Sequence, residues 1–253
     1  MRAGETTIEQ YLMAHSKDWR NPLPRLPKQT LEVRDGESRP GRPTKLKVEL
    51  CVGDQIAGMP PTIRLAHPDD AAAIGAVHHA SRRTTYTALL GAQLAEAGSV
   101  ARRIAQWQRA LGDGSQSVFA AEENGCIVGF ASCGPSAHRI EPFDAELYSL
   151  YLLAEAQSRG IGAALLHASA ARLVERNFNA MLVWVLESNV RAVAFYRRFG
   201  GEYLKSAPNP VDDHPDAVYG YRDLRALKRA TFALSSGVTE VVFPTRAVDA
   251  REA

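Results

Sequence analysis

The segment Gln157-Ser158-Arg159-Gly160-Ile161-Gly162 restricts the fold more than any other part of this 253-residue chain. It joins an apolar run, Leu147-Tyr148-Ser149-Leu150-Tyr151-Leu152-Leu153, to a stretch with helical spacing that begins at Ile161 and reaches Arg176. A glycine-containing turn between a strand and a helix aims several unpaired backbone N–H groups at one point. Those donors, with the positive end of the helix dipole, favour a bound phosphate. Glycine matters there because a side chain would hold a pyrophosphate away from the backbone. Taken alone, a Gly-x-Gly also fits an ordinary tight turn.

Two further elements narrow the reading. Glu146 opens the apolar run, and downstream stands Glu187-Ser188-Asn189-Val190-Arg191-Ala192-Val193-Ala194-Phe195-Tyr196-Arg197-Arg198-Phe199-Gly200. The block from Ala145 to Tyr203 resembles the GCN5-related N-acetyltransferase (GNAT) family, which transfers an acyl group from acyl-CoA to an amine. The family's Gln/Arg-x-x-Gly-x-Gly/Ala pattern is met by Gln157, Gly160 and Gly162. Its Asn-x-x-Ala-x-x-x-Tyr element is approximated by Asn189, Ala192 and Tyr196. A Rossmann site fits poorly, because the first glycine of that fingerprint is missing and the turn comes late in the chain.

Composition sets the outer bounds. The length suits one sizeable domain with extensions, or two small ones. The apolar share of 45% and charged share of 23% are ordinary for a globular protein. A net charge of +2 gives no reason to expect nucleic acid or membrane as the main partner. Pro40-Gly41-Arg42-Pro43 lacks the arginine that a minor-groove motif carries before its glycine. Cys51, Cys126 and Cys133 have no metal-ligand spacing and read as reduced thiols, so no metal is expected. No apolar run approaches the ~20 residues that span a bilayer, and residues 1–7 lack a signal-peptide core, so the expected location is cytoplasmic.

Residues 1–58 carry Pro22, Pro24, Pro27, Pro40 and Pro43 and are expected to be a largely irregular extension, apart from a short helix over Thr7–Met13. Met59 is a candidate alternative start. The catalytic domain is expected over 59–227, with a tail over 228–253. Within the domain the spacing predicts strands at 62–66, 118–122, 127–132, 146–153, 181–186, 202–206 and 217–224. Helices are predicted from Ala71 to Leu90, from Val100 to Leu111, from Ile161 and across Ala192–Phe199. Glu123-Asn124-Gly125 is a hairpin signal. This order is the family's. It implies an α/β fold with a mixed, mostly antiparallel sheet of six or seven strands and about four helices, splayed between two central parallel strands.

The resemblance also implies a site. Backbone N–H groups from Ser158 to Ala163, including those of Arg159 and Ile161, would hold the pyrophosphate of acetyl-CoA. The pantetheine arm would pair with the strand edge at Leu150, Tyr151 and Leu152, and the N–H near Leu152 would face the thioester oxygen. Asn189 would contact the cofactor, and as a helix N-cap it can do both jobs. Tyr196 would hydrogen-bond or protonate the departing thiolate, being a phenol near 10, above a thiol near 8.5, and so still protonated at neutral pH; its spacing also fits a core aromatic. Glu146, at the offset of the general base in the histone-acetylating branch, is also an ordinary strand-end carboxylate. Trp184 stands near where another branch places its glutamate. The acceptor would be an amine of a small molecule or protein, with Asp212, Asp213 and Asp216 able to attract a cation. The alternative is an acyl-CoA-binding regulatory or sensor module. A homodimer is left open.

Overall fold

The computed structural model describes residues 29–33, 46–50, 61–91, 99–209, 214–234 and 240–242. The expected helix over Thr7–Met13, the Met59 start and the acidic pair Asp212-Asp213 lie outside the described residues. Within the first 58 residues, strands β1 (Gln29–Val33) and β2 (Leu46–Leu50) form an antiparallel two-stranded sheet.

The main sheet has eight strands in the order β10-β3-β4-β5-β6-β7-β9-β8. Seven of them are the expected ones: β3 (Thr62–Leu65), β4 (Ser117–Glu123), β5 (Cys126–Ile140), β6 (Phe143–Leu152), β7 (Met181–Leu186), β8 (Glu202–Ala207) and β9 (Asp216–Tyr221). The eighth, β10 (Glu240–Val242), comes from the tail and pairs parallel with β3. Among the described residues only β10/β3 and β6/β7 are parallel; the other pairings are antiparallel. The β4–β5 turn has Asn124 and Gly125 both at positive φ, 53° and 76°, as a two-residue hairpin matching strand twist requires.

Among the described residues five α-helices cover the sheet: α1 (Ala71–Leu90), α2 (Val100–Gly112), α3 (Ile161–Glu175), α4 (Val190–Arg198) and α5 (Leu224–Leu234). Alternation along β5 assigns two faces. Phe130 packs on His78 of α1 and on Trp107 of α2, whereas the Cys133 thiol lies 3.8 Å from the Ser169 carbonyl of α3. Helices α1 and α2 therefore cover one face and α3 the other. Helix α3 is buried nearly all round, because α5 covers its outer side; Lys228 O lies 2.8 Å from His167 Nδ1 there. Fully burying Leu165 and Leu166 contributes about 1.5–3 kcal/mol each.

Of the three cysteines expected to be reduced, Cys133 is a buried free thiol, Cys126 is disulfide-bonded, and Cys51 lies outside the described residues. Spacing along a chain does not report the distance between Cα atoms that decides pairing.

Candidate active site

Strands β6 and β7 pair only over Ala145–Leu147 and Met181–Val183. Beyond that, β6 runs on to Leu152 and β7 to Leu186 without each other, which opens a gap in the middle of the sheet. The Leu153 N–H donates to Val128 O on β5, 2.9 Å away. Because successive residues of a strand point their amides to opposite sides, the N–H groups of Leu150 and Leu152 face the gap and that of Tyr151 faces β5. The Tyr151 ring lies over His78, centroids 4.8 Å apart, on the α1 face.

The turn after β6 ends at the N-terminus of α3. Its N-cap is Gly160, at φ 83°, with no side chain to accept from the first turn. The first helical bond runs from Ala164 N–H to Gly160 O, so the amides of Ile161, Gly162 and Ala163 have no intrahelical partner. Ser158 is also left-handed, at φ 61°. A Cβ on Gly162 would point into the protein, 3.4 Å from Phe195 Cε2 and 3.5 Å from Leu152 Cδ1. Gly162 thus serves helix–strand packing, with room for a methyl group, and only Gly160 needs glycine for its backbone angle.

The polar side chains of the turn are committed. Gln157 Nε2 donates to Leu152 O at 3.2 Å and ties the turn to the strand. Arg159 forms an ion pair with Glu123 of β4, one contact being 3.0 Å. Asn189 caps α4 by accepting from Ala192 N–H at 3.2 Å. Arg191, which the sequence did not single out, donates to Ser158 Oγ at 2.9 Å and sets a guanidinium beside the open amides. Its signal was its place in the first turn of α4, two residues after Asn189.

Tyr196 is 7% exposed. Burial first, and then the Tyr151 phenol, hold its hydroxyl above the ordinary value. Tyr86 of α1 is raised in the same way, by burial and then by Tyr151. The Tyr196 carbonyl accepts from Tyr221 OH at 2.9 Å, which fixes α4 against β9.

Glu146 is 8% exposed. Strand β5 leaves its ladder between Pro135 and Ile140, a place suited to a residue without an N–H. From that irregular stretch Ser136 Oγ reaches Glu146 Oε2 at 3.3 Å and His138 Nδ1 reaches it at 2.9 Å. The His138 ring stacks on Trp184 of β7, centroids 4.3 Å apart. Trp184 Nε1 is buried without a hydrogen-bond partner. Sequence reasoning missed His138, because the predicted strand stopped at Ser132.

Among the described residues, no three His, Cys, Asp or Glu gather as a metal site would require, and no helix is long and apolar enough to cross a membrane.

Comparison with known proteins agrees with this geometry. Residues 81–201 match the Acetyltransferase (GNAT) family. An uncharacterized N-acetyltransferase of Bacillus subtilis, YuaI, is 37% identical over 171 residues, which cover 66% of this chain and 96% of that protein. A probable N-acetyltransferase of Mycobacterium tuberculosis is 30% identical over 140 residues, covering 54% and 76% respectively. Among solved structures, the PaiA N-acetyltransferase of Thermoplasma acidophilum in complex with coenzyme A superposes with a TM-score of 0.52 at 19% identity, covering 64% of this chain and 100% of that one. YncA of Salmonella typhimurium with acetyl-CoA gives 0.50 at 20% identity, covering 64% and 93%. With its fold, its glycine turn and a relative matched over almost its whole length, the chain belongs to the GNAT acetyltransferase family.

Proposed function

We propose that the protein transfers an acetyl group from acetyl-CoA to a primary amine of a small molecule or protein, by direct attack within a ternary complex. The observation that carries this is the gap between β6 and β7 beyond Leu147, next to an α3 N-terminus whose amides no side chain caps. The diphosphate sits on the amides of Ile161, Gly162 and Ala163, with Arg191 adding charge. The pantetheine amides pair with the β6 edge, and the N–H of Leu150 or Leu152 stabilises the oxyanion.

Tyr196, kept neutral by burial, donates a hydrogen bond to the departing thiolate, which takes its proton from water. Glu146 accepts the amine's proton, held in place by Ser136 and His138. At ~3.3 Å per residue, Glu146 lies about 13 Å along the strand from Leu150, so that proton travels through ordered water. The amine lone pair forms the C–N bond as the C–S bond breaks, and the proton lost by nitrogen leaves through Glu146.

A thiol-release assay with acetyl-CoA and a panel of amino acids, polyamines, antibiotics and peptides tests the proposal. Turnover with an amine supports it, and Glu146→Gln should lower kcat at least tenfold at neutral pH. Binding of acetyl-CoA without transfer to any amine would contradict it and favour the regulatory module.

A further inference from the structure

On the face of the sheet opposite the glycine turn, α1 and α2 stand over β5 and β6 and form with them a half-open cavity of about 480 Å³. Ser132 of β5 and Ser149 and Tyr151 of β6 line it from below; His78 and Arg82 of α1 and Arg103 of α2 line it from above. That volume suits a small molecule, and Tyr151 stands beside the gap where β6 and β7 part.

The polar groups of this cavity are biased toward donors. Arg82 Nε is buried with no hydrogen-bond partner, while its guanidinium rests 4.8 Å from the centre of the Tyr86 ring. A buried donor left unsatisfied is costly, and an acceptor molecule that satisfied it would gain from doing so. Trp107 Nε1 donates to His78 Nδ1 at 3.1 Å. Burial, followed by the charges of Arg103 and Arg82, pushes His78 down to about 3. The ring is therefore neutral at physiological pH, and its other nitrogen, Nε2, carries a hydrogen. No aspartate or glutamate is among the described lining residues.

We propose that this cavity receives the acceptor, and that the acceptor is a small amine that also carries an anionic group, a carboxylate or a phosphate, held by Arg82. The inference rests on the transferase reading above. A polyamine would set its cations against guanidinium groups in a partly desolvated space, where like charges are disfavoured. An amine bearing a carboxylate or phosphate supplies acceptors that match the planar guanidinium fork.

The test is thiol release from acetyl-CoA by the full-length protein with matched acceptors: phenylalanine against phenethylamine, 2-aminoethyl phosphate against ethylamine, and spermidine. The expected result is a kcat/KM at least tenfold higher for the anionic member of one pair, and the pair that responds identifies the anion. Arg82→Gln should raise the KM of that acceptor at least tenfold and leave the KM of acetyl-CoA unchanged. Arg82→Lys, which keeps the charge and loses the fork, should raise it about threefold, and it decides the matter should Arg82→Gln fail to fold. Equal or better use of the neutral amines or spermidine, or an acceptor KM unmoved by either substitution, overturns the anionic class and leaves the transferase reading standing. Absence of turnover with every amine overturns both.

Discussion

At the residue scale the two motif glycines separate cleanly. Gly160 sits at φ 83°, and a β-branched residue there costs about 1–2 kcal/mol. Gly160→Val should lower stability by that amount in urea unfolding and weaken CoA binding at least tenfold. Gly162→Ala should leave both near wild type, since the new methyl meets Phe195 and Leu152 at ordinary contact distance. A matched loss of CoA affinity in Gly162→Ala would show that its Cβ crowds the anion after all. Tyr196→Phe removes a buried hydroxyl whose proton is held above the usual phenol range. Its kcat should fall at least tenfold with CoA affinity kept, and the wild-type rate should show no alkaline limb from this group below about pH 10. Unchanged turnover would return Tyr196 to the status of a core aromatic. The motif positions were readable because the backbone angle at Gly160 and the cap at Asn189 are local demands. What Gln157 and Arg159 do was not readable, because Leu152 O and Glu123 are brought to them by the fold.

At the element scale the strand and helix order was legible, since each element carries its own period. Helix α5 and strands β1, β2 and β10 were missed, and one strand was cut short. Strand β5 was cut short at Ser132; the ladder continues to Pro135 and breaks there. That extension is what delivers His138 to Glu146. Helix α5 was hidden in the tail, yet α3 announced it: Leu166, His167 and Ala170 lie on the side of the helix away from Ile161, Leu165 and Ala168, and all are buried. Strand β10 adds three pairs to β3 at the sheet edge. Truncation after residue 239 should therefore cost on the order of 1 kcal/mol, or a Tm lowered by about 2–4 °C, with CoA affinity unchanged. A loss of CoA binding in the truncated protein would tie the tail to the site.

At the scale of the whole molecule, stability should fall on the acid side through His78. Its folded value, about 3, lies below the ordinary 6.5. The unfolded chain takes up a proton there that the folded protein refuses. The stabilisation is thus fully present above pH 6.5 and is lost as pH falls toward 3. His78→Phe should flatten that slope in urea midpoints compared at pH 7 and pH 4.5; an unchanged slope would mean that other groups set it. Tyr86, Tyr196 and Tyr221 act at the other end. Their raised values give a contribution present below about pH 10 and lost as pH rises beyond it.

The proposed division of the sheet into a donor face at α3 and an acceptor face under α1 and α2 depends on one proposed contact, that of coenzyme A's diphosphate with the amides after Gly160. Calorimetric titration of the full-length protein with coenzyme A and with pantetheine, which lacks the diphosphate, measures that contact directly. The account predicts saturable one-to-one binding of coenzyme A and at least tenfold weaker binding of pantetheine. No heat with coenzyme A on folded protein, or equal affinity for the two, would contradict it.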